Sequence, residues 1–570
     1  MKQKKVIAIL TAAVCALSLA ACGGSSAGTA AESTAAESTA EEAAEEPAEA
    51  AAESTAEEAA PVEEAAAAEE STGGEKTVTA AMPSAWTDLF PAGELHHYDS
   101  AVLNCVYDTL VKMNGDGQYV GDLAKDWEVN DESTEITFHL NDGIAWHDGE
   151  PFTAEDIVKC FKMYSDPAVQ ATSRYFLEYI DGCDESGAET SEDSLAVEAP
   201  DDKTLVVKFK APTFADTVLD DLSHLFVVPA HIFENLTADD INNPNTWAAP
   251  IGTGPFKFLS LVDGERIEFE ANPDYFAGKP DIDHLVIRVV DNANMLAGLM
   301  NNEIDIVLLG GIPLDDWALA QTQDNLNTES IVTTGYQMFI MNTQNELLTQ
   351  PVRQAISMAI DRSTLVNQLL QGEGEAIVTP ICSVNPYFNP DVEVWYDPDE
   401  AKKMLEAEKF PMDQKLIFSV PTGNATRERA ATLIAEDLGK IGLNVEIRQV
   451  DFSTLMEDLK EGKTDFGIVG SGGSMNPTES LEMLTGSFNL CHLPDDNELA
   501  GLLKEANTKL DFDSRKEVLD EFQVKMREIS PYAYLYTTNN LVAYNKRLSN
   551  VKPENFATFN WAANEWTVTD

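Results

Sequence analysis

The chain has 570 residues, with 37 Lys and Arg against 98 Asp and Glu and a formal net charge of −61. So acidic a balance excludes a general surface for nucleic acid or anionic membrane, which would repel it. The length exceeds what one hydrophobic core holds, so two or more domains are expected after the N-terminal segments.

Residues 1–21 begin with Lys2, Lys4 and Lys5, run through an apolar centre over 6–19, and leave through Leu19-Ala20-Ala21. A positive start, a short apolar run and a small-residue exit form an export signal, whereas a spanning helix needs about 20 apolar residues. The junction Leu19-Ala20-Ala21-Cys22 resembles the lipobox of bacterial lipoproteins. That resemblance implies cleavage before Cys22 and attachment of lipid to it. The protein would then sit on the outer face of the cytoplasmic membrane, on the periplasmic side if the cell has an outer membrane. Each buried CH₂ adds about 0.8 kcal/mol to such an anchor. Residues 22–75 continue as an Ala/Glu-rich tether without an aromatic residue, Lys or Arg. Its apolar surface is too small to offset ordering entropy, so it reads as a disordered, self-repelling spacer.

From Lys76 onward the composition is globular. Besides Cys15 and Cys22 there are Cys105, Cys160, Cys183, Cys382 and Cys491. They are far apart, with no CxxC and no Cys/His ligand spacing. Cys105 and Cys160 lie in apolar helical patterns and read as buried thiols, and a disulfide among the others stays open. His96-His97 is a pair of neighbours that point apart, which disfavours a shared metal. From Lys76 onward, Gly-x-Ser-x-Gly, phosphate-loop and His-Glu-x-x-His motifs are missing. No catalysis, cofactor or metal is therefore expected.

Several elements can be placed in chain order. Met82-Pro83-Ser84-Ala85-Trp86 leaves the first strand of the folded part, and Tyr98 follows it. Asn114-Gly115-Asp116-Gly117 reads as a turn. Ile136-Thr137-Phe138-His139-Leu140 alternates as a strand with His139 outward. Asp148-Gly149 is a hairpin-type turn and Thr153 caps a helix with acids in its first turn. Trp127 and Trp146 read as core aromatics, and Gly252 and Gly254 as points of close backbone approach beside the crossover strands. Gly335-Tyr336-Gln337 precedes a strand. Residues 426–441 form an amphipathic helix, with Leu433, Ile434, Leu438 and Ile441 inward and Gly442 as its stop. Leu443, Val445 and Ile447 alternate as a strand, Ser453 opens a helix, and 465–469 is the next strand.

This is an α/β succession with a partly parallel sheet, in which ligands bind beyond the carboxyl ends of strands. The last strand leads into Gly470-Ser471-Gly472-Gly473-Ser474-Met475-Asn476-Pro477. Such a loop is either a flexible surface segment or a cleft lining whose bare backbone hydrogen-bonds a ligand. The candidate ligand contacts are Gly470, Ser471, Gly472, Gly473, Ser474, Met475 and Asn476. Trp86, Tyr98 and Tyr336 join them as aromatic walls, and Arg427 as a partner for a carboxylate.

Three blocks carry a family resemblance. The first joins Tyr107-Asp108-Thr109-Leu110-Val111, Gly121-Asp122-Leu123-Ala124-Lys125-Asp126-Trp127 and Trp146-His147-Asp148-Gly149-Glu150-Pro151-Phe152. The second is Ile251-Gly252-Thr253-Gly254-Pro255-Phe256-Lys257-Phe258. The third is Val352-Arg353-Gln354-Ala355-Ile356-Ser357-Met358-Ala359-Ile360-Asp361-Arg362. Together they resemble the peptide/nickel-type extracellular solute-binding proteins of ABC importers. The resemblance implies an α/β, two-lobed, periplasmic-binding-protein-like (type II) fold with an extra subdomain in the first lobe. On it the first-lobe core takes 76–104, 201–290 and 538–570, the accessory subdomain 105–200, and the second lobe 291–537. It implies a monomer that captures an oligopeptide-like small ligand and delivers it to ABC permease and ATPase subunits. A metal-complex carrier of the nickel type and a ligand sensor without transport are the competing readings. Peptide-binding relatives usually carry a Trp and, three residues on, an Asp before the Pro of this loop, and that Asp pairs with the peptide's ammonium. Aligned on Pro477, those positions are Gly470 and Gly473. The charged anchor is missing, unless an acid elsewhere, such as Glu479, replaces it.

Overall fold

A computed structural model describes residues 75–569 apart from 88, 94–96, 116, 310, 487–488 and 553–561. The signal segment, Cys22, most of the tether, Asp116 and His96 therefore lie outside the described residues.

One mixed sheet of ten strands runs through the protein. Its strands are β1 (Thr77–Met82), β2 (Phe256–Val262), β3 (Arg266–Ala271), β4 (His284–Val289) and β5 (Ile306–Val307), then β6 (Leu326–Met341), β7 (Lys415–Pro421), β8 (Asn444–Val450), β9 (Phe466–Ser471) and β10 (Tyr532–Asn545). Their order across the sheet is β8-β7-β9-β6-β10-β5-β1-β4-β3-β2. β1 pairs in parallel with β4 and β5, and β7 in parallel with β8 and β9, whereas β6 and β10 are antiparallel. Parallel pairs in both halves of the sheet, β8-β7-β9 and β5-β1-β4, fit the α/β succession read from the sequence, while β4-β3-β2 closes one end antiparallel. A separate four-stranded antiparallel sheet (Ala124–Val129, Glu135–Leu140, Thr204–Lys208, Val197–Asp201) packs into the first half of the molecule.

The two halves have separate cores, and β6 and β10 belong to both. At one end, Ile331 of β6 and Val542 and Tyr544 of β10 join the core built on Val78, Ala80, Phe256 and Ile287. At the other end, side chains of β6 alternate between two clusters, as the period of two requires. Phe339 and Met341 face one way, with Phe339 4.8 Å from Phe466 and 4.9 Å from Phe418. Tyr336, Met338 and Ile340 face the other. Helices cover both faces of this second lobe, among them α2 (Ala425–Lys440), α3 (Phe452–Lys460), α4 (Pro477–Thr485) and α5 (Phe512–Ile529). In the first lobe, a short helix, α1 (Ala215–Ser223), packs on the core through Val218, Leu219 and Leu222.

Between the cores the β6–β10 ladder is irregular. Val332 pairs with Asn539 and Tyr336 with Thr537, so Thr333, Thr334 and Gly335 lie opposite Thr538 alone. Such an insertion locally disrupts the ladder and bends the strand. The expectation that Gly335-Tyr336-Gln337 precedes a strand is corrected: these residues lie inside a 16-residue one.

The resemblance blocks turn out to be structural devices. A Cβ on Gly252 would lie 1.9 Å from the Val106 carbonyl oxygen, and one on Gly254 2.6 Å from it. Both glycines therefore admit the Val106 backbone; the approach is to this segment of the first lobe, not to the crossover strands. His147 fastens the same turn. Its Nδ1 accepts from Gly252 N–H at 3.3 Å and its Nε2–H donates to Gly254 O at 2.9 Å. Thr253 and Tyr275 donate to the buried Asp108 carboxylate at 2.7 and 3.1 Å. Burial, with Asp122 close by, holds the Asp108 carboxyl above the usual range. In the third block, Arg362 is 1% exposed, with no ion pair to an acid among the described residues. Its guanidinium donates instead to the carbonyls of Ser357, Ile360, Ile377 and Tyr534. The five cysteines beyond Cys22 are all free and buried, which answers the open question of a disulfide.

Candidate functional site

β9 runs two residues further than the sequence pattern indicates. Gly470 pairs with Gln337 and Ser471 with Tyr336, so both belong to the sheet, and the loop proper is 472–476. It departs from the sheet beside the β6 irregularity, where the two lobes meet. Thr334 donates from its hydroxyl to Gly473 O at 2.8 Å. Asn385 donates to the carbonyls of Ser474 at 2.9 Å and Met475 at 3.4 Å. Asn476 ends the loop as the residue before Pro477, the first residue of α4.

The glycines differ in what they permit. A Cβ on Gly473 would sit 2.4 Å from Thr334 O, so this position lies directly against β6 and has no room for a side chain. Its constraint is contact, not a positive φ. Gly472 has nothing within 4 Å of a Cβ and is exposed. At Gly470 a Cβ would meet the Gln337 amide at 2.4 Å and the Arg427 guanidinium at 3.1 Å.

Arg427 is buried in the first turn of α2, and its Nε–H donates to Gln337 Oε1 at 3.0 Å. This settles it beside Gly470, on the edge of the loop, in place of a solvated helix face. Asn424 caps α2 by accepting from Arg427 N–H, a start one residue earlier than the apolar pattern gives. Likewise Asp451, rather than Ser453, caps α3 by accepting from Thr454 N–H at 2.9 Å. Tyr336 is 3% exposed and meets Tyr534 edge-on at 5.4 Å, and burial raises its phenol pKa.

Trp86 is 7% exposed in the first-lobe core, with Tyr98 half-buried against the same core. Their segments are joined because Thr87 donates to the Asp99 carboxylate from its backbone N–H at 2.5 Å and its hydroxyl at 3.0 Å. The structure thus forms one group from Tyr336, Arg427 and residues 470–476, and a second from Trp86 and Tyr98 in the other lobe. Gln337, Thr334 and Asn385 hold the first group in place. Their role had no local signal in the sequence, since each partner is about 90 to 140 residues away. Among the described residues no group of three His, Cys, Asp or Glu is placed to hold a metal ion.

Two cores on one sheet, bridged by two long strands with a glycine-rich loop at the junction, give the two-lobed fold of a binding protein for a solute. Residues 118–490, more than half of the chain, match the model of the bacterial extracellular solute-binding proteins, family 5. The chain belongs to that family, whose members are binding proteins rather than enzymes. It is 28% identical over 513 residues to the oligopeptide-binding protein AppA of Bacillus subtilis, covering 84% of this chain and 89% of the relative. The heme-binding protein A of Haemophilus influenzae is 26% identical over 459 residues, covering 75% and 80%. In fold the chain is similar to the crystal structure of the ABC transporter substrate-binding protein CtaP from Listeria monocytogenes. That match has a TM-score of 0.77 at 21% identity and covers 87% of this chain and 100% of the other. No helix among the described residues is long and apolar enough to cross a membrane.

Proposed function

We propose that this protein is the lipid-anchored receptor of an ABC importer that captures an oligopeptide-like ligand between its lobes and hands it to a permease. The observation that carries this reading is the 28% identity, over most of both chains, with a protein named as oligopeptide-binding. Cys22 would hold the anchor and residues 23–75 would lift the receptor off the bilayer. The lobes would be divided as the resemblance implies, with 291–537 as the second.

Residues 470–476 would line the cleft and orient the ligand through backbone groups, with Arg427 at its edge and Trp86, Tyr98 and Tyr336 among its walls. Since position 473 faces Thr334 O with no room for a side chain, this loop supplies no carboxylate there. A buried ammonium without an anion is costly. The ligand class that follows is a blocked, cyclic or otherwise uncharged-amino peptide. Matched calorimetric titrations with free and N-acetylated oligopeptides test this. The expected result is that acetylation leaves affinity unchanged or raises it. An ammonium–carboxylate hydrogen bond is worth about one to two decades of affinity. A loss of that size on acetylation would refute this assignment.

A further inference from the structure

One contact between the lobes lies away from the shared strands. Arg515, on the first turns of α5, is 1% exposed. α5 packs on the second-lobe core through Val518, Leu519, Phe522 and Met526. Within that lobe the Arg515 guanidinium donates to Asn476 Oδ1 at 2.8 Å, to the Thr478 hydroxyl and to Asn507 Oδ1 at 3.2 Å. Its other amino group crosses to the first lobe. It donates to the Thr217 hydroxyl at 3.0 Å, and the guanidinium carbon stands 5.3 Å from the Phe214 ring centroid. Thr217 lies on the helix Ala215–Ser223, anchored in the first-lobe core. The Asp216 carboxylate on the same helix adds attraction for the guanidinium.

A guanidinium is tolerated out of water when its rigid fork of donors meets acceptors and its face meets an aromatic ring. Here those partners are divided between two bodies with separate cores. Separating the lobes would strip Thr217 and Phe214 from Arg515 and leave its second-lobe partners in place. Asn476 is also the last residue of the 472–476 loop, so one side chain touches both the end of that loop and the opposite lobe.

We propose that Arg515 is a positioning residue that clasps the closed lobes and links the 472–476 loop to closure. Its consequence for ligand residence rests on the reading that this loop lines the cleft. The clasp itself does not.

The test is hydrogen exchange, read by mass spectrometry, on the full chain without ligand, comparing wild type with Thr217→Val and Arg515→Lys. Thr217→Val is nearly isosteric and leaves every second-lobe partner of Arg515 intact. Arg515→Lys keeps the charge but loses the fork that spans two lobes. Both should speed exchange in 214–223 and in 472–485 together, by about tenfold, the scale of one charge-assisted hydrogen bond. Exchange in Glu135–Leu140, deep in the four-stranded sheet, should not change. If Thr217→Val leaves 472–485 as slow as in wild type, the clasp is wrong and Arg515 serves the second lobe alone. Failure of the cleft reading would appear separately, as a pool of blocked oligopeptides that binds without slowing exchange at 472–476.

Discussion

The fastening of the Gly252-Thr253-Gly254 turn makes a quantitative prediction about pH. Both nitrogens of His147 are engaged by backbone, one accepting from Gly252 and the other donating to Gly254. A protonated ring would lose the acceptor, and burial already opposes the charge. The His147 pKa is accordingly pulled down to about 4 from 6.5, burial being the largest cause. A depressed histidine pKa favours the native state above the unfolded-state pKa, and that contribution is lost as pH falls through the folded one. Between about pH 8 and pH 4.5, linkage with these two values removes about 2.5 kcal/mol of stability. Many carboxylates titrate near the lower limit, so the informative quantity is a difference between proteins. Urea unfolding of wild type and His147→Gln at both pH values provides it. The variant should lose about 1–3 kcal/mol at pH 8, where a buried donor and acceptor lose their partner. It should then lose about 2.5 kcal/mol less than wild type on acidification. Parallel pH profiles for the two proteins would refute the account of His147 as a neutral backbone clamp.

Other predictions follow from contacts in the second lobe and the thiols. Gly473→Ala should destabilise by about 1–3 kcal/mol, because its Cβ must push Thr334 O back from 2.4 Å, whereas Gly472→Ala should fall within about 0.5 kcal/mol of wild type. Paired thermal melts check both. Arg362→Ala should cost about 3–5 kcal/mol in urea unfolding, since it strands four buried carbonyls that now share one guanidinium. A thiol reagent at neutral pH should leave all five buried cysteines unmodified until the chain unfolds. Burial pushes Cys105 and Cys160 up to about 12 and Cys183, Cys382 and Cys491 up to about 11. Replacing Cys22 by Ser should release the protein from membrane fractions in cell fractionation.

Features with short-range causes were legible in the sequence. The alternating strand around Phe138 and the amphipathic helix ending at Gly442 need only their own residues to declare themselves. So does Thr153, whose backbone N–H donates to Asp156 at 2.9 Å at the start of its helix. The family blocks carried the fold further, because Gly252 and Gly254 record a close approach that only a bare backbone tolerates. Features with remote causes were not legible. Gly335 looks like a strand boundary, but β6 continues through it because β10, about 200 residues later, pairs on both sides of the irregularity. Arg427 reads only as a candidate carboxylate partner near a helix start, and nothing in the sequence marks Arg515. Each is buried by a partner on another element, Gln337 for one and Thr217 for the other. The loop after β9 was visible as glycine-rich, but the neighbour that fills the space at Gly473 was not.

What occupies the cleft decides the ligand class. The most direct measurement is mass spectrometry of the small molecule released, on denaturation, from protein purified natively out of its own cells. The expected compound is oligopeptide-like and present in stoichiometric amount, with its amino terminus blocked or cyclised. Release of haem or of a nickel complex in its place would overturn the assignment of an oligopeptide-like ligand.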